Sequence, residues 1–417
     1  MAKQALPERL NICFVSKKFP ILGRASEYGF LWPIARGLAS RGHKVTVLAA
    51  ESPRKLQEIT QDGVHALYLK EGLPQHELTN FGRLAKNHFV KLHRQEPFHI
   101  VHSIDDSGSL IARFKREYDV AVAFDVQATH MSQIFAITAM AQETVGSLLR
   151  SAIAVSYKFL RTYYGTDRKL LKSADGVFVT SPRQRTVLER YYLYPDARIY
   201  TVPYGIEIGD LSPKEKSMQL RETLKLPENA RIAVTVSDMT EVREMANLLQ
   251  AFEKVAIKNS LARLLVIGNG PKRKEIEFEM LNLALGNRVI FTGAVKNTEV
   301  PDYISLADVY VNISSRATGF ELSMLEAMAQ KKVIIGSEVS PISSIVEDRV
   351  DGFLIRPADV SSLSALLNEV FSGQLPTQEI GNRARLKITD LFDTQKMVNQ
   401  TLNSYFKILK STGKYKK

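Results

Sequence analysis

The chain is predicted to fold as two successive doubly wound α/β domains, each a parallel sheet flanked by helices. Three observations predict this. The chain has 417 residues, more than one compact core normally supports. Short apolar runs of strand length alternate, in two series, with segments whose apolar residues recur three and four apart. The two series are separated by a break punctuated with proline and glycine, Val202-Pro-Tyr-Gly-Ile206 and Ser212-Pro213.

The first series opens with the run Leu10 to Ser16. A loop with Gly23 and Gly29 follows, then a helix with Leu31, Ile34, Ala35 and Leu38 on one stripe. Gly42 ends that helix, and Lys44 to Ala50 is the next strand. A strand, helix and strand joined this way imply a parallel pair with a right-handed crossover. Further strands are expected at 65–69, 99–102, 120–125 and 176–180. The helix carrying Leu78, Phe81, Leu84, Ala85, Phe89 and Leu92 inward turns Arg83, Lys86, Lys91 and Arg94 outward. The segment Met131 to Lys172 is helical by composition.

The second series has strands at 231–236, 262–267, 288–292, 309–313, 332–335 and 352–355. Between the first two, Met245, Leu248, Leu249, Phe252 and Val255 mark a helix, and Leu322 to Gln330 marks another. The expected organisation is a Rossmann-like N-terminal domain at 1–205, a Rossmann-like C-terminal domain at 206–390, and a helix with a basic tail at 391–417 packing back toward the N-terminal domain. In such sheets ligands bind beyond the carboxyl ends of the strands. A ligand shared by both domains would lie in the cleft between them.

Composition bounds the function. Hydrophobic residues make up 45% and charged residues 24%, the proportions of a soluble globular protein. The single cysteine, Cys13, allows no intramolecular disulfide and fits a reducing compartment. No apolar stretch reaches the length of a bilayer span, and the N-terminus lacks a signal-peptide core. A cytoplasmic protein is expected, with peripheral contact to the inner face of a membrane as an option. The formal net charge of +12 points to anionic partners without choosing among phosphates, nucleic acid and acidic lipid.

Several segments stand out as candidate sites. Gly268-Asn-Gly-Pro271 lies between a strand and a helix and is followed by Lys272, Arg273 and Lys274. Glycines there let backbone approach a ligand, and a helix start offers free N–H groups to a phosphate. The plainer reading is a tight turn with solvated lysines, because the third glycine of a dinucleotide fingerprint is absent. Ser314 to Ala329 is a second strand–loop–helix segment, holding Thr318, Gly319, Phe320, Glu321 and Glu326. Its carboxylates either cap a helix or, in the case of Glu326, accept bonds from ribose hydroxyls, a suitable partner for a buried carboxylate. Arg243, in Asp238 to Arg243, is either a surface cation or a bidentate partner of a diphosphate. His130, in Asp125 to His130, is either a loop histidine or a group near a donor sugar, with Gln127 as the other occupant of that place. The basic helix and the 131–172 segment suggest docking to an acidic membrane surface or a lipid-linked acceptor, against a plain solvated face. No His and Cys spacing for a metal is present.

The order of these motifs resembles the retaining GT-B glycosyltransferases of family 4. The motifs are Gly268-Asn-Gly-Pro-Lys-Arg273, Phe291-Thr-Gly-Ala-Val295, Leu322-Ser-Met-Leu-Glu-Ala-Met-Ala329 and Asp351-Gly-Phe-Leu-Ile-Arg-Pro-Ala-Asp359. Arg41 to Val45 and Ala174 to Ser181 resemble N-domain stretches of the same family. The resemblance covers nearly the whole chain. It implies a nucleotide-sugar donor, an acceptor hydroxyl, retention at the anomeric carbon and no metal or other cofactor. It places Gly268, Gly270 and Arg273 beside the nucleotide, Val295 against the base through its backbone, and Glu326 on the ribose. It places Arg243 on the diphosphate, where the family usually has a lysine. Thr318, Gly319 and Phe320 fall in the donor loop, and His130 near the sugar.

The chain departs from the family pattern at several points. Thr318 stands where the family has a glutamate, with Glu321 the nearest carboxylate, and Asp238 stands where it has an arginine. Ser340 to Ser344 replaces the family's G-G-x-P-E, and Gly23-Arg24 replaces its N-terminal glycine pair. A second reading therefore stands beside the enzyme: an impaired homologue that binds its ligand without turnover. A nicotinamide oxidoreductase is a poor fit, since Gly23 to Gly29 supplies no fingerprint, and no nucleic-acid partner is expected.

Overall fold

The computed structural model describes residues 5–19, 30–51, 56–69, 77–127, 129, 131, 156–157, 165–208, 212–296, 298–313, 322–339, 341–413 and 415. The chain divides into two units, Met1–Gly205 with Thr394–Lys417, and Ile206–Asp393 for the described residues between.

In the first unit the elements run β1 (Asn11–Lys18), α1 (Leu31–Ala39), β2 (Lys44–Glu51), β3 (Glu58–Gln61), β4 (Val64–Tyr68), α2 (Glu77–Gln95), β5 (Ile100–Ile104), α3 (Ser109–Arg113), α4 (Lys115–Tyr118), β6 (Ala121–Asp125), α5 (Thr166–Ser173), β7 (Gly176–Val179), α6 (Pro182–Tyr192) and β8 (Ile199–Thr201). They form one eight-stranded sheet in the order β3-β4-β2-β1-β5-β6-β7-β8. All pairs are parallel except β3 with β4. The central strands are continuous apolar runs because both of their faces are covered. Every residue of β5, β6 and β7 is buried.

Successive strand residues point to opposite faces, so the two sides of this sheet have separate cores. On one side Val15, Val101 and Val122 pack with Phe81 and Phe89 of α2, Ile111 of α3, Leu171 of α5 and Leu188 of α6. On the other side lie α1 and the last helix of the chain, Thr394–Ser411. That helix buries Met397, Val398, Thr401, Tyr405 and Ile408, the three-and-four spacing of one helical stripe.

The second unit runs α7 (Met218–Thr223), β9 (Arg231–Val236), α8 (Val242–Lys258), β10 (Ala262–Ile267), α9 (Arg273–Asn282), β11 (Val289–Gly293), α10 (Val300–Ser305), β12 (Val309–Asn312), α11 (Leu322–Ala329), β13 (Val333–Ser337), α12 (Ile342–Ile345), β14 (Phe353–Ile355), α13 (Val360–Phe371) and α14 (Thr377–Leu391). The last helix, in the first unit, is α15. The second sheet is all parallel, in the order β11-β10-β9-β12-β13-β14. Two strands run one way from β9 and three run the other, the doubly wound order with its switch point between β9 and β12.

Strands β9 and β10 occupy the predicted residues, and the stripe Met245, Leu248, Leu249, Phe252 and Val255 is buried on α8. Strands β3 and β8 were not predicted. Strand β3 is Glu-Ile-Thr-Gln, with one buried residue, Ile59. It exists through its antiparallel pairing to β4. Strand β8 has three residues at the sheet edge, too few for a period to show. Most of the expected helical segment 131–172 lies outside the described residues, and its end forms α5.

Candidate functional site

The switch point of the second sheet lies between the neighbouring strands β9 and β12. Arg243 follows β9 and Glu326 follows β12 in the chain. Arg243 sits in the first turn of α8, near the positive end of its dipole and its free N–H groups. Its side chain is exposed and forms no ion pair or hydrogen bond with the described residues. Glu326 lies within α11 at 1% exposure. A carboxylate this deep needs polar partners.

The loops after β9, β10 and β11 are tied together by backbone hydrogen bonds. Ser237 N donates to Ile267 O at 2.9 Å, Lys272 N to Met239 O at 3.0 Å, and Gly268 N to Gly293 O at 3.0 Å. This contact explains the Gly-x-Gly pair. A Cβ on Gly268 would stand 2.1 Å from Ser237 O, and one on Gly270 only 1.7 Å from Asp238 O. Gly268 also has φ +122°, a conformation open to glycine. The close approach that these glycines permit is therefore to the chain's own loop.

The basic residues beside them are engaged locally. Lys272 Nζ lies 2.8 Å from Glu275 Oε1, and Arg273 Nε lies 2.7 Å from Glu277 Oε1. These partly exposed pairs are weak and leave the cations available to a stronger anion. Arg273 also reaches toward Gly293, where a Cβ would meet its Nη1 at 3.2 Å. Val295, just past β11, is half-buried. Asp238, the charge reversal relative to the family pattern, has a local structural role. Its Oδ1 accepts from Thr240 Oγ1 at 2.9 Å and from Thr240 N at 3.3 Å, an Asx turn closing the loop. The structure thus brings Arg243, Gly268, Gly270, Arg273, Val295 and Glu326 to the carboxyl-end side of one sheet. His130, Thr318, Gly319, Phe320 and Glu321 lie outside the described residues. Among the described residues no group of three or more His, Cys, Asp or Glu could hold a metal ion.

The first unit has a polar nest at the carboxyl ends of β5 and β6. Asp125 Oδ1 accepts from the Tyr204 hydroxyl at 2.7 Å and from Gln127 Nε2 at 2.8 Å. Asp105 Oδ1 accepts from Gln127 N at 3.0 Å. Burial, with Asp125 and Asp106 adding to it, raises the Asp105 carboxyl to about 7 against the opposing pull of the Gln127 bond and Lys17. Burial and then Asp125 hold the Tyr204 hydroxyl well above its usual range, and Phe30 stacks on its ring with centroids 3.6 Å apart. Asp105 and Tyr204 carry no local sequence signal. They are far apart in the chain and meet only once the sheet forms.

Two family models match the chain: Glycosyl transferase 4-like domain over residues 30–205 and Glycosyl transferases group 1 over 217–387. N-acetyl-alpha-D-glucosaminyl L-malate synthase of Bacillus anthracis is 24% identical over 70% of this chain and 80% of its own length. O-antigen chain mannosyltransferase C of Escherichia coli is 23% identical over 63% and 68%. Among solved structures, sucrose-phosphate synthase of Thermosynechococcus elongatus shares the fold with a TM-score of 0.77 at 20% identity, over 96% of this chain and all of that one (100%). Anabaena Alr3699/HepE in complex with UDP-glucose superposes with a TM-score of 0.71 at 17% identity, over 95% and 100%. With both halves matched in order and the two parallel sheets in place, the chain belongs to the GT-B glycosyltransferases of the family 4 type.

Proposed function

We propose that the protein moves a sugar from a nucleoside-diphosphate donor to an acceptor hydroxyl, with retention at the anomeric carbon, and that the second unit holds the donor. The observation that carries this reading is Arg243. It is an exposed guanidinium without a described partner, at the start of a 17-residue helix beside the sheet's switch point. A diphosphate is the ligand such a position favours, through bidentate bonds to the guanidinium and through the helix-start amides. In this reading Glu326 takes the ribose and Val295 the base, both on the carboxyl-end side of the same sheet. Alr3699/HepE is described with UDP-glucose bound, which supports this class of donor.

In this reading the bond from the anomeric carbon to the diphosphate oxygen breaks, and the acceptor oxygen bonds the same carbon on the same face. The acceptor proton ends on the departing diphosphate. Negative charge grows on the leaving group as the bond breaks, and Arg243 with the α8 amides offsets it where it develops. Cytoplasmic action fits a chain whose one cysteine is buried and unpaired in any disulfide. No helix of the described residues is long and apolar enough to cross a membrane.

A thermal-shift series with UDP-, GDP- and ADP-sugars tests the reading, since a ligand that binds the native state raises its melting temperature. One donor is expected to raise it, and Arg243→Ala and Glu326→Gln to remove the rise. Full retention of the rise in both variants would mean the donor sits elsewhere.

A further inference from the structure

We infer that His43 and His99 form an acid-released clamp on the amino end of β1, an interior strand of the first sheet. The inference stands apart from the donor and its site. Strand β1 lies between β2 and β5. Each of those strands is preceded directly by a histidine, His43 before Lys44 and His99 before Ile100. The two imidazoles take the amides at the start of β1, one from each side. Leu10 N donates to His43 Nδ1 at 3.1 Å, and Asn11 N donates to His99 Nδ1 at 2.8 Å. The backbone closes the same contacts in the other direction. Lys44 N donates to Leu10 O at 2.9 Å, and His99 N to Asn11 O at 2.8 Å. The two side chains thus carry the ladder past the first residues of both neighbouring strands.

A backbone N–H can only donate, so each Nδ1 must keep its lone pair. A protonated imidazole has a donor at both nitrogens and would turn an N–H toward the amide it now accepts from. Leu10 is 1% exposed and Asn11 5%, so water is a poor substitute for the lost acceptor.

The surroundings of both rings act in the same direction. Burial, with Arg41 adding to it, lowers the His43 pKa. Burial also lowers that of His99, against the opposing pull of Glu96. Lys44, paired with Glu96, and Arg9, beside Gly42, lie at the same strand ends. A ring that must be neutral when folded contributes stability above its ordinary value of 6.5, and that stability is lost as pH falls below it. The clamp is closed at neutral pH and released by acid.

The test is hydrogen exchange of the full chain read by mass spectrometry, with rates corrected for the intrinsic effect of pH. Between about pH 7.5 and pH 5, protection of the amides at the start of β1 is expected to fall beyond that of β9 and β10. The excess is up to about 30-fold for each ring, the limit for a ring of ordinary value 6.5 that must stay neutral. His43→Asn/His99→Asn offers an amide oxygen near each Nδ1 position and removes the titration, so the excess should disappear. No excess loss in the parent, or the same excess in the double variant, would overturn the inference. Nitrogen NMR of the histidine-labelled parent needs no substituted protein to fold, beyond single variants that assign the signals. Nδ1 of both rings should read as an unprotonated acceptor at about pH 7.5. A proton on either Nδ1 at that pH would also overturn it.

Discussion

The hydroxyl of Tyr405 lies 2.7 Å from Nδ1 of His102, joining the last helix of the chain to a central strand of the first sheet. Both residues are buried, at 0% and 1% exposure. Among the described residues Nε2 of His102 has no hydrogen-bond partner, and the nearest Asp125 oxygen is 3.6 Å away. Among the described residues Tyr405 therefore supplies the one close hydrogen bond of this imidazole. Tyr405→Phe keeps the ring contacts with His102 and Phe178 and leaves both ring nitrogens without a good partner. A loss of about 1–3 kcal/mol is expected from the unfolding midpoint in urea. Tyr405→Ala should lose more, about 3–5 kcal/mol, because it adds a cavity. Equal stability of Tyr405→Phe and the parent would show that the bond contributes nothing.

Gly270 and Asp238 make the second prediction. A methyl group at position 270 would overlap Asp238 O, so Gly270→Ala must displace the loop after β9 or the loop after β10. A destabilisation of about 1–3 kcal/mol is expected. The donor-induced rise in melting temperature should fall as well, since Arg243 follows the displaced loop. Gly373→Ala provides a comparison. Its φ of +72° is left-handed, but no atom lies within 4 Å of its Cβ direction, so it should leave the donor response intact.

The fold was legible because parallel strands buried on both faces are bound to be continuous apolar runs, and β9, β10 and the α8 stripe are such features. Strands β3 and β8 escaped because edge strands so short exist through their neighbours rather than their own pattern. The candidate site of the second unit was legible as motifs, but part of its physics was not. The Gly-x-Gly pair reads in sequence either as space for a ligand or as a tight turn, and in the structure that space is taken by Ser237 and Asp238. Lys272 and Arg273 read either as phosphate ligands or as solvated cations, and Glu275 and Glu277 at i+3 and i+4 engage them in weak, partly exposed pairs. The Asp105–Gln127–Asp125–Tyr204 nest was not legible, since it is assembled from three separate segments of the chain.

Arg243 is exposed and makes no described contact that holds the fold together. Arg243→Ala is therefore expected to leave the melting temperature of the free protein unchanged within about 0.5 kcal/mol. A charged bidentate pair with a diphosphate is worth about 1.5–3 kcal/mol, so donor affinity by calorimetry should fall roughly 10- to 150-fold. Arg243→Lys keeps the charge and loses the planar fork, and should fall between the two. A variant that melts like the parent and binds donor like the parent would remove Arg243 from the site.

Asp105 predicts a pH dependence with a definite sign. Its carboxyl is raised from 3.8 to about 7 in the folded protein, chiefly by burial. The folded state thus holds this proton more tightly than the unfolded chain does. The resulting stability is fully present below pH 4 and is lost as pH rises through about 7. By accessible area the side chain is half-buried, so solvent screening reduces the effect to about 1–2 kcal/mol. The groups facing it have opposing influences, Asp125 and Asp106 raising the carboxyl and Lys17 and the Gln127 N–H lowering it. Asp105→Asn retains an oxygen for the Gln127 N–H and removes the titration. Relative to the parent it is expected to gain stability between pH 4 and pH 8 and to match it below pH 4. Urea midpoints measured for both proteins across that range check the sign, and parallel curves would show that Asp105 titrates as an ordinary carboxylate.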